Sequence, residues 1–136
     1  MSATKKIISI VDDDEDNSKL FRMILSENFC EYDVLSFNDS VLALEHFTEN
    51  QGAYAMVIAD FRMAGLNGLE LLSRIKNANP NVRTIVISGF NFENQMFRDC
   101  MDLGIIDSPI GKPVTIQRLC ERVRSELEKY QSEIPN

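Results

Sequence analysis

Short apolar runs alternate with longer helical stripes along almost the whole chain, and this alternation limits the possible fold more than any other sequence feature. The runs lie at 7–11, 54–59, 82–87 and 105–110, with a weaker one at 33–37. The central runs are nearly continuous in Ile, Val and Ala, the pattern of parallel strands covered on both faces. Between them lie residues at helical spacing. Leu20, Phe21, Ile24 and Leu25 form one stripe, and Val41, Leu44 and Phe47 a second. Leu66, Leu69, Leu72 and Ile75 form a third, and Met96, Phe97, Cys100, Met101 and Leu103 a fourth. Ile116, Leu119, Cys120, Val123, Leu127 and Tyr130 form the last and longest.

Punctuation agrees with this division. Asn79-Pro80-Asn81 ends the third helix, because Pro80 cannot continue it and biases Asn79 away from helical geometry. Gly104 stands where the fourth helix would end, and Lys112-Pro113 at the threshold of the fifth. The expected architecture is (βα)5 within 136 residues, the length of one domain. Five units cannot close an eight-stranded barrel, so the parallel sheet must be open and doubly wound. In such sheets ligands bind outside the carboxyl ends of the strands. Function is therefore sought in the residues just after each strand.

Charge points to the same edge. The chain has 14 Lys plus Arg against 21 Asp plus Glu, a formal charge of −7. Five of those acids stand together as Asp12-Asp13-Asp14-Glu15-Asp16, straight after the first run. Without them the balance is 14 bases to 16 acids, so the acidity is a local event. With no basic run, direct phosphate-driven nucleic-acid binding is not expected. Cys30, Cys100 and Cys120 are odd in number and far apart, with a single histidine, His46; they form neither a disulfide framework nor a zinc site. The start lacks a signal-peptide pattern and no run is long enough to span a membrane, so a reduced, cytoplasmic location without membrane insertion is expected. The sequon Asn38-Asp39-Ser40 is then a chance match.

The strand ends carry Asp12 and Asp13, Asp60, Ser88 with Gly89, and Lys112. A polar residue there is commonly only a turn former or cap. Their conjunction at four ends is what argues for a site. Grouped carboxylates repel one another unless a cation joins them. A hard divalent ion, Mg2+ (or Mn2+), suits a few carboxylates with room left for phosphate. In such a site Asp60 can attack phosphorus, while the metal, a lysine and a hydroxyl hold the phosphoryl oxygens. Gly89 would let backbone N–H groups approach closely.

The stretches I-S-I-V-D-D-D at 8–14, M-V-I-A-D-F-R-M-A-G-L-N-G-L-E-L-L at 56–72, T-I-V-I-S-G at 84–89 and G-K-P at 111–113 make the chain resemble the receiver domains of two-component response regulators, in particular stand-alone, chemotaxis-type receivers. Asp13, Asp60, Ser88 and Lys112 follow at intervals of 47, 28 and 24 residues. The likeness covers Lys5 to about Tyr130, giving one receiver domain over 1–130 and a loose tail over 131–136. It implies a flavodoxin-like sheet in the order 2-1-3-4-5. It also implies that Asp60 accepts phosphate from a histidine kinase or a histidine phosphotransfer protein. Asp13, Asp60 and the backbone carbonyl of Arg62 would hold the metal, with Asp12 acting mainly through water. Ser88 and Lys112 would bind the phosphoryl group. Asp14 is expected to start the first helix instead.

Departures from that family pattern fall mainly on the output side. Ala64 replaces a frequent proline and Asn67 a frequent aspartate. Pro109, three residues before Lys112, stands where receivers often carry a Tyr or Phe rotamer switch, so this relay must be absent or altered. Proline there also points to an irregular or edge strand. Arg62 and Phe90 border the site in the family; Phe90 reads equally as a loop aromatic packing on the fourth helix. His46 reads as part of a solvated helix face, the cysteines and most methionines as core, and the charges over 118–129, including Arg122/Glu126 and Arg124/Glu128, as a solvated face.

The resulting expectation is a phosphorylation-dependent signalling domain, not an enzyme beyond its own phosphorylation and dephosphorylation. It would switch a partner-binding surface for an unknown downstream protein, as a monomer or phosphorylation-linked dimer. Two other readings stay open. One is a haloacid-dehalogenase-like phosphatase using Asp12-x-Asp14, which lacks an acidic pair after the lysine and room for a cap. The other is a binding module of the same fold whose output ignores phosphate.

Overall fold

The computed structural model describes residues 4–89 and 94–133. Among these, five strands, β1 (Lys6–Val11), β2 (Tyr32–Phe37), β3 (Tyr54–Asp60), β4 (Arg83–Ser88) and β5 (Ser108–Gly111), alternate with five helices. The helices are α1 (Glu15–Asn28), α2 (Ser40–Glu49), α3 (Gly68–Ala78), α4 (Gln95–Asp102) and α5 (Ile116–Glu133). Every strand pair is parallel and the order is β2-β1-β3-β4-β5, the flavodoxin-like order expected.

Both faces of the sheet are covered, which is why the runs do not alternate polar with apolar. All seven residues of β3 are buried. Ile58, Ile85 and Ile87 face a core with Leu25 of α1 and Leu119, Val123 and Leu127 of α5. Their neighbours Val57, Ala59 and Val86 face the opposite core, with Phe47 of α2, Leu71, Leu72 and Ile75 of α3 and Phe97 of α4. Fully burying each Ile, Leu, Val or Phe among these stabilises the fold by about 1.5–3 kcal/mol.

Helix ends follow local chemistry. The Asp14 carboxylate caps α1 by accepting from the N–H groups of Asp16 and Asn17, as expected for that residue. Asn67 and Glu70 form a reciprocal capping box on α3. Beyond α4, Gly104 adopts φ +76°, and the N–H groups of Gly104 and Ile105 return to the carbonyls of Met101 and Cys100. This is a Schellman ending, open to glycine because it carries no Cβ.

That ending corrects the expected final strand. Ile105 and Ile106 belong to the turn, and β5 is only Ser108–Gly111. Pro109 pairs with Val86 on an edge strand, where a missing N–H is tolerated. At the other end α5 runs to Glu133, past the expected start of the tail at 131, with Gln131 donating to the Tyr32 hydroxyl.

Three further expectations change. His46 is not on a solvated face: its Nδ1 lies 2.6 Å from the Tyr54 hydroxyl and its ring packs on Phe37 and Tyr54. Glu126 is not a solvated partner of Arg122; it is 1% exposed and bonded to Arg83 and Ser108. Of the thiols only Cys120 is buried, while Cys30, Met23, Met96 and Met101 are exposed.

Candidate functional site

The carboxyl edge of the sheet gathers the residues singled out in the sequence. Asp60 is the last residue of β3 and Ser88 the last of β4, while Asp12 follows β1 and Lys112 follows β5. The Asp12 N–H prolongs the sheet by bonding the Phe37 carbonyl at 3.1 Å, and the Lys112 N–H bonds the Ser88 carbonyl at 3.0 Å. Backbone pairing of the strands thus delivers these side chains to one place. Asp12 and Asp60 are buried, at 7% and 5% exposure, and Ser88 is buried with them. Asp13, Arg62, Gly89 and Lys112 are exposed around them. Phe90 lies outside the described residues.

The Lys112 ammonium stands 2.8 Å from Asp60 Oδ1. Although this is an ion pair, Oδ1 has no aligned hydrogen-bond donor among the described residues. Asp12 Oδ1 accepts the Asp14 N–H at 2.9 Å. Burial, together with the charges of Asp60 and Asp13, pushes the Asp12 carboxyl above its ordinary value, against the opposing pull of the Asp14 N–H and of Lys112. A cavity of about 310 Å³ opens over Asp60, lined by Phe61, Arg62, Ile87, Ser88, Gly89 and Lys112. On its other side Asp60 and Lys112 border a second cavity with Asp12, Asn17, Leu20 and Phe21.

These features fit a hydrated divalent cation. A buried carboxylate oxygen without an aligned donor, beside a second buried carboxyl that resists ionisation, is the donor chemistry a hard cation relieves. Among the described residues, no three acidic, thiol or imidazole side chains converge to hold an ion unaided. Water would therefore complete the shell, as is usual for Mg2+.

The loop after β3 is built onto the sheet. The Phe61 N–H bonds the Ile87 carbonyl at 2.8 Å, and the Phe61 carbonyl accepts the Gly68 N–H at 2.9 Å. The Phe61 ring packs against Phe97, with centroids 5.1 Å apart. Phe97 is the buried anchor of α4. Sequence reasoning missed Gly68, the Phe61–Phe97 pair and the tether from Ser40 to this loop. The G-L-N-G run at 65–68 carried a signal for the first; the other two join residues distant in sequence. The second acid of the rival Asp12-x-Asp14 pair is engaged in capping α1.

A doubly wound α/β chain that gathers acids, a hydroxyl and a lysine on its carboxyl edge has them where such sheets bind their ligands. Residues 8–124 match the response regulator receiver domain family, and the chain belongs to it. Sporulation initiation phosphotransferase F of Bacillus subtilis is 27% identical over 111 residues, covering 80% of this chain and 83% of that protein. The hydrogenase transcriptional regulatory protein HoxA of Cupriavidus necator is 27% identical over 128 residues. The match takes in 94% of this chain but only 25% of HoxA. A solved response regulator receiver domain protein from Clostridium thermocellum superposes with a TM-score of 0.84 at 25% identity, covering 95% and 99% of the two chains. Among the described residues no helix is long and apolar enough to cross a membrane.

Proposed function

We propose that this receiver accepts a phosphoryl group on Asp60 and thereby switches a partner-binding surface. The donor would be a phosphohistidine on a sensor kinase or phosphotransfer protein, in the cytoplasm. The observation that carries this reading is the Asp60 carboxylate itself: buried, facing a cavity, with Lys112 Nζ at 2.8 Å. An Asp60 oxygen attacks phosphorus while the P–N bond to the donor imidazole breaks, its electron pair remaining on the ring nitrogen. Lys112 shifts to a phosphoryl oxygen, Ser88 bonds another, and Gly89 leaves room beside them. Asp12, Asp13, Asp60 and the Arg62 carbonyl would hold Mg2+ or Mn2+, which when bound neutralises charge on the transferring group.

The added charge, about −1.5 to −2, draws on groups of the loops after β3 and β4. Pro109 has no aromatic rotamer to change, so the output takes another route. Phe61, next to the acceptor, packs on the one buried side chain of α4. The exposed Met96 and Met101 of α4, Leu103 just after it, and Ile116 of α5 support a protein-binding face there.

Labelling by acetyl phosphate with Mg2+ tests the acceptor. Asp60→Asn should abolish it, and persistent stoichiometric labelling of that variant at another residue would refute the assignment.

A further inference from the structure

The sequon-like tripeptide Asn38-Asp39-Ser40 supplies no group to the proposed chemistry, yet it touches both acid-bearing loops. Residues of these types after a strand ordinarily bond their own turn or cap the next helix. Only Asp39 does so, its carboxylate accepting the N–H groups of Val41 and Leu42 at the start of α2. Its neighbours reach across the sheet edge in opposite directions. Asn38 Nδ2 donates to the Asp12 carbonyl at 3.2 Å and to Ser18 Oγ at 2.8 Å. Ser40 Oγ donates to the Ala64 carbonyl at 3.2 Å and accepts the Leu66 N–H at 2.9 Å.

The second contact is a built one. Ser40 is 1% exposed, and Gly65, between its two partners, adopts φ +78°. A Cβ at Gly65 would come within 3.2 Å of the hydroxyl. Glycine and serine therefore fit together, and the loop from Asp60 to Gly68 is held at its middle as well as at its ends. The Arg62 carbonyl lies in that loop, two residues before Ala64.

We infer that Asn38 and Ser40 are positioning residues, which fix the Asp12 and Asp60 loops relative to each other and so set the affinity of the site for a divalent cation and its rate of phosphoryl acceptance. The inference rests on the proposed function above. Groups that orient metal ligands typically change metal affinity roughly 10–100-fold when removed.

The test uses the full chain and Mg2+ alone, with binding read from backbone amide shifts and labelling by acetyl phosphate read separately. Asn38→Ala and Ser40→Ala should each raise the half-saturating Mg2+ concentration roughly tenfold and slow labelling at subsaturating Mg2+. Asp39→Ala, which removes only the cap of the same helix, should lower Tm without moving either readout. Hydrogen exchange at the Leu66 amide should speed up in Ser40→Ala and not in Asp39→Ala. Asn38 is exposed, so its variant keeps the test readable if Ser40→Ala fails to fold. Mg2+ half-saturation within twofold of the parent in the folded variants, or an equal effect of Asp39→Ala, would overturn the inference. A parent chain that neither binds Mg2+ nor labels on Asp60 would refute the phosphoacceptor reading itself, and this inference with it.

Discussion

A β-carbon placed on Gly68 would stand 2.6 Å from the main-chain oxygen of Asp60 and 3.0 Å from the Cα of Phe61. Both obstacles are backbone, so neither can swing aside. Gly68 opens α3, and its N–H closes the loop after β3 by bonding the Phe61 carbonyl. Alanine is favoured over glycine in a helix by about 1 kcal/mol, but overpacking against backbone costs about 1–3 kcal/mol. The second effect should win. Gly68→Ala is expected to lower Tm by several degrees and to slow acetyl phosphate labelling more than tenfold, because the displaced atoms are those of the proposed acceptor, Asp60, and of Phe61 beside it. Gly52→Ala is the control, since a Cβ there meets nothing within 4 Å. Equal labelling rates in the two variants would refute the steric argument.

The same contact marks the limit of what the sequence discloses. The strands were legible because β3 and β4 carry continuous buried apolar runs, Tyr54–Ala59 and Ile85–Ile87, and the ends of β3, β4 and β5 placed Asp60, Ser88 and Lys112 on one edge. Ile105 and Ile106 look like strand residues by composition, but the turn set by Gly104 consumes them. His46 lies at the flank of a helical stripe, and only the fold brings Tyr54 to it. Glu126 shares a face with Val123 and Tyr130, so its burial could be read from spacing; its partners, 43 and 18 residues away, could not. The Ser40 and Asn38 bonds span 20 to 26 residues. Strand-end chemistry is local in sequence, whereas the groups that orient it are not.

Glu126 joins α5 to the opposite end of the sheet. Its Oε1 accepts from Arg83 Nε at 2.9 Å and its Oε2 from Ser108 Oγ at 2.5 Å. Arg83 also meets Asp107 at 3.3 Å, and Lys76 pairs with the same carboxylate at 2.7 Å. Burial pushes the Glu126 carboxyl upward, but the bonds from Ser108 and Arg83, with the charges of Arg83 and Lys129, outweigh it and hold it below the ordinary 4.5. The unfolded chain therefore binds more protons than the folded one in acid. The stabilisation is present above pH 4.5 and is lost as pH falls through the lowered value. Glu126→Gln leaves Arg83 short of a buried partner and should cost about 3 kcal/mol at pH 7. In urea unfolding between pH 3 and 7, its stability should fall less steeply with acid than the parent's. Parallel acid limbs, or a loss under 0.5 kcal/mol at pH 7, would contradict this role.

Asp12 has the opposite sign. In the metal-free chain its burial, with the charges of Asp60 and Asp13, holds the carboxyl above its ordinary 3.8 despite the Asp14 N–H and Lys112. Folding then favours the protonated form, so stability falls as pH rises from 3.8 through the raised value, and the cost persists at neutral pH. Asp12→Asn keeps an oxygen for the Asp14 N–H but removes the charge. It should stabilise the metal-free chain at pH 7 by about 0.5–2 kcal/mol, as relief of a strained functional site commonly does. Mg2+ reverses the ranking: at tenfold over its Kd it should stabilise the parent by about 1.4 kcal/mol and the variant by little. Because proton and cation compete for one carboxyl, the parent's response to Mg2+ should also weaken as pH falls toward the raised value. Thermal unfolding with and without Mg2+ from pH 5 to 8 measures all three effects. A variant that is no more stable than the parent without Mg2+, yet responds to Mg2+ as strongly, would remove Asp12 from the proposed metal site.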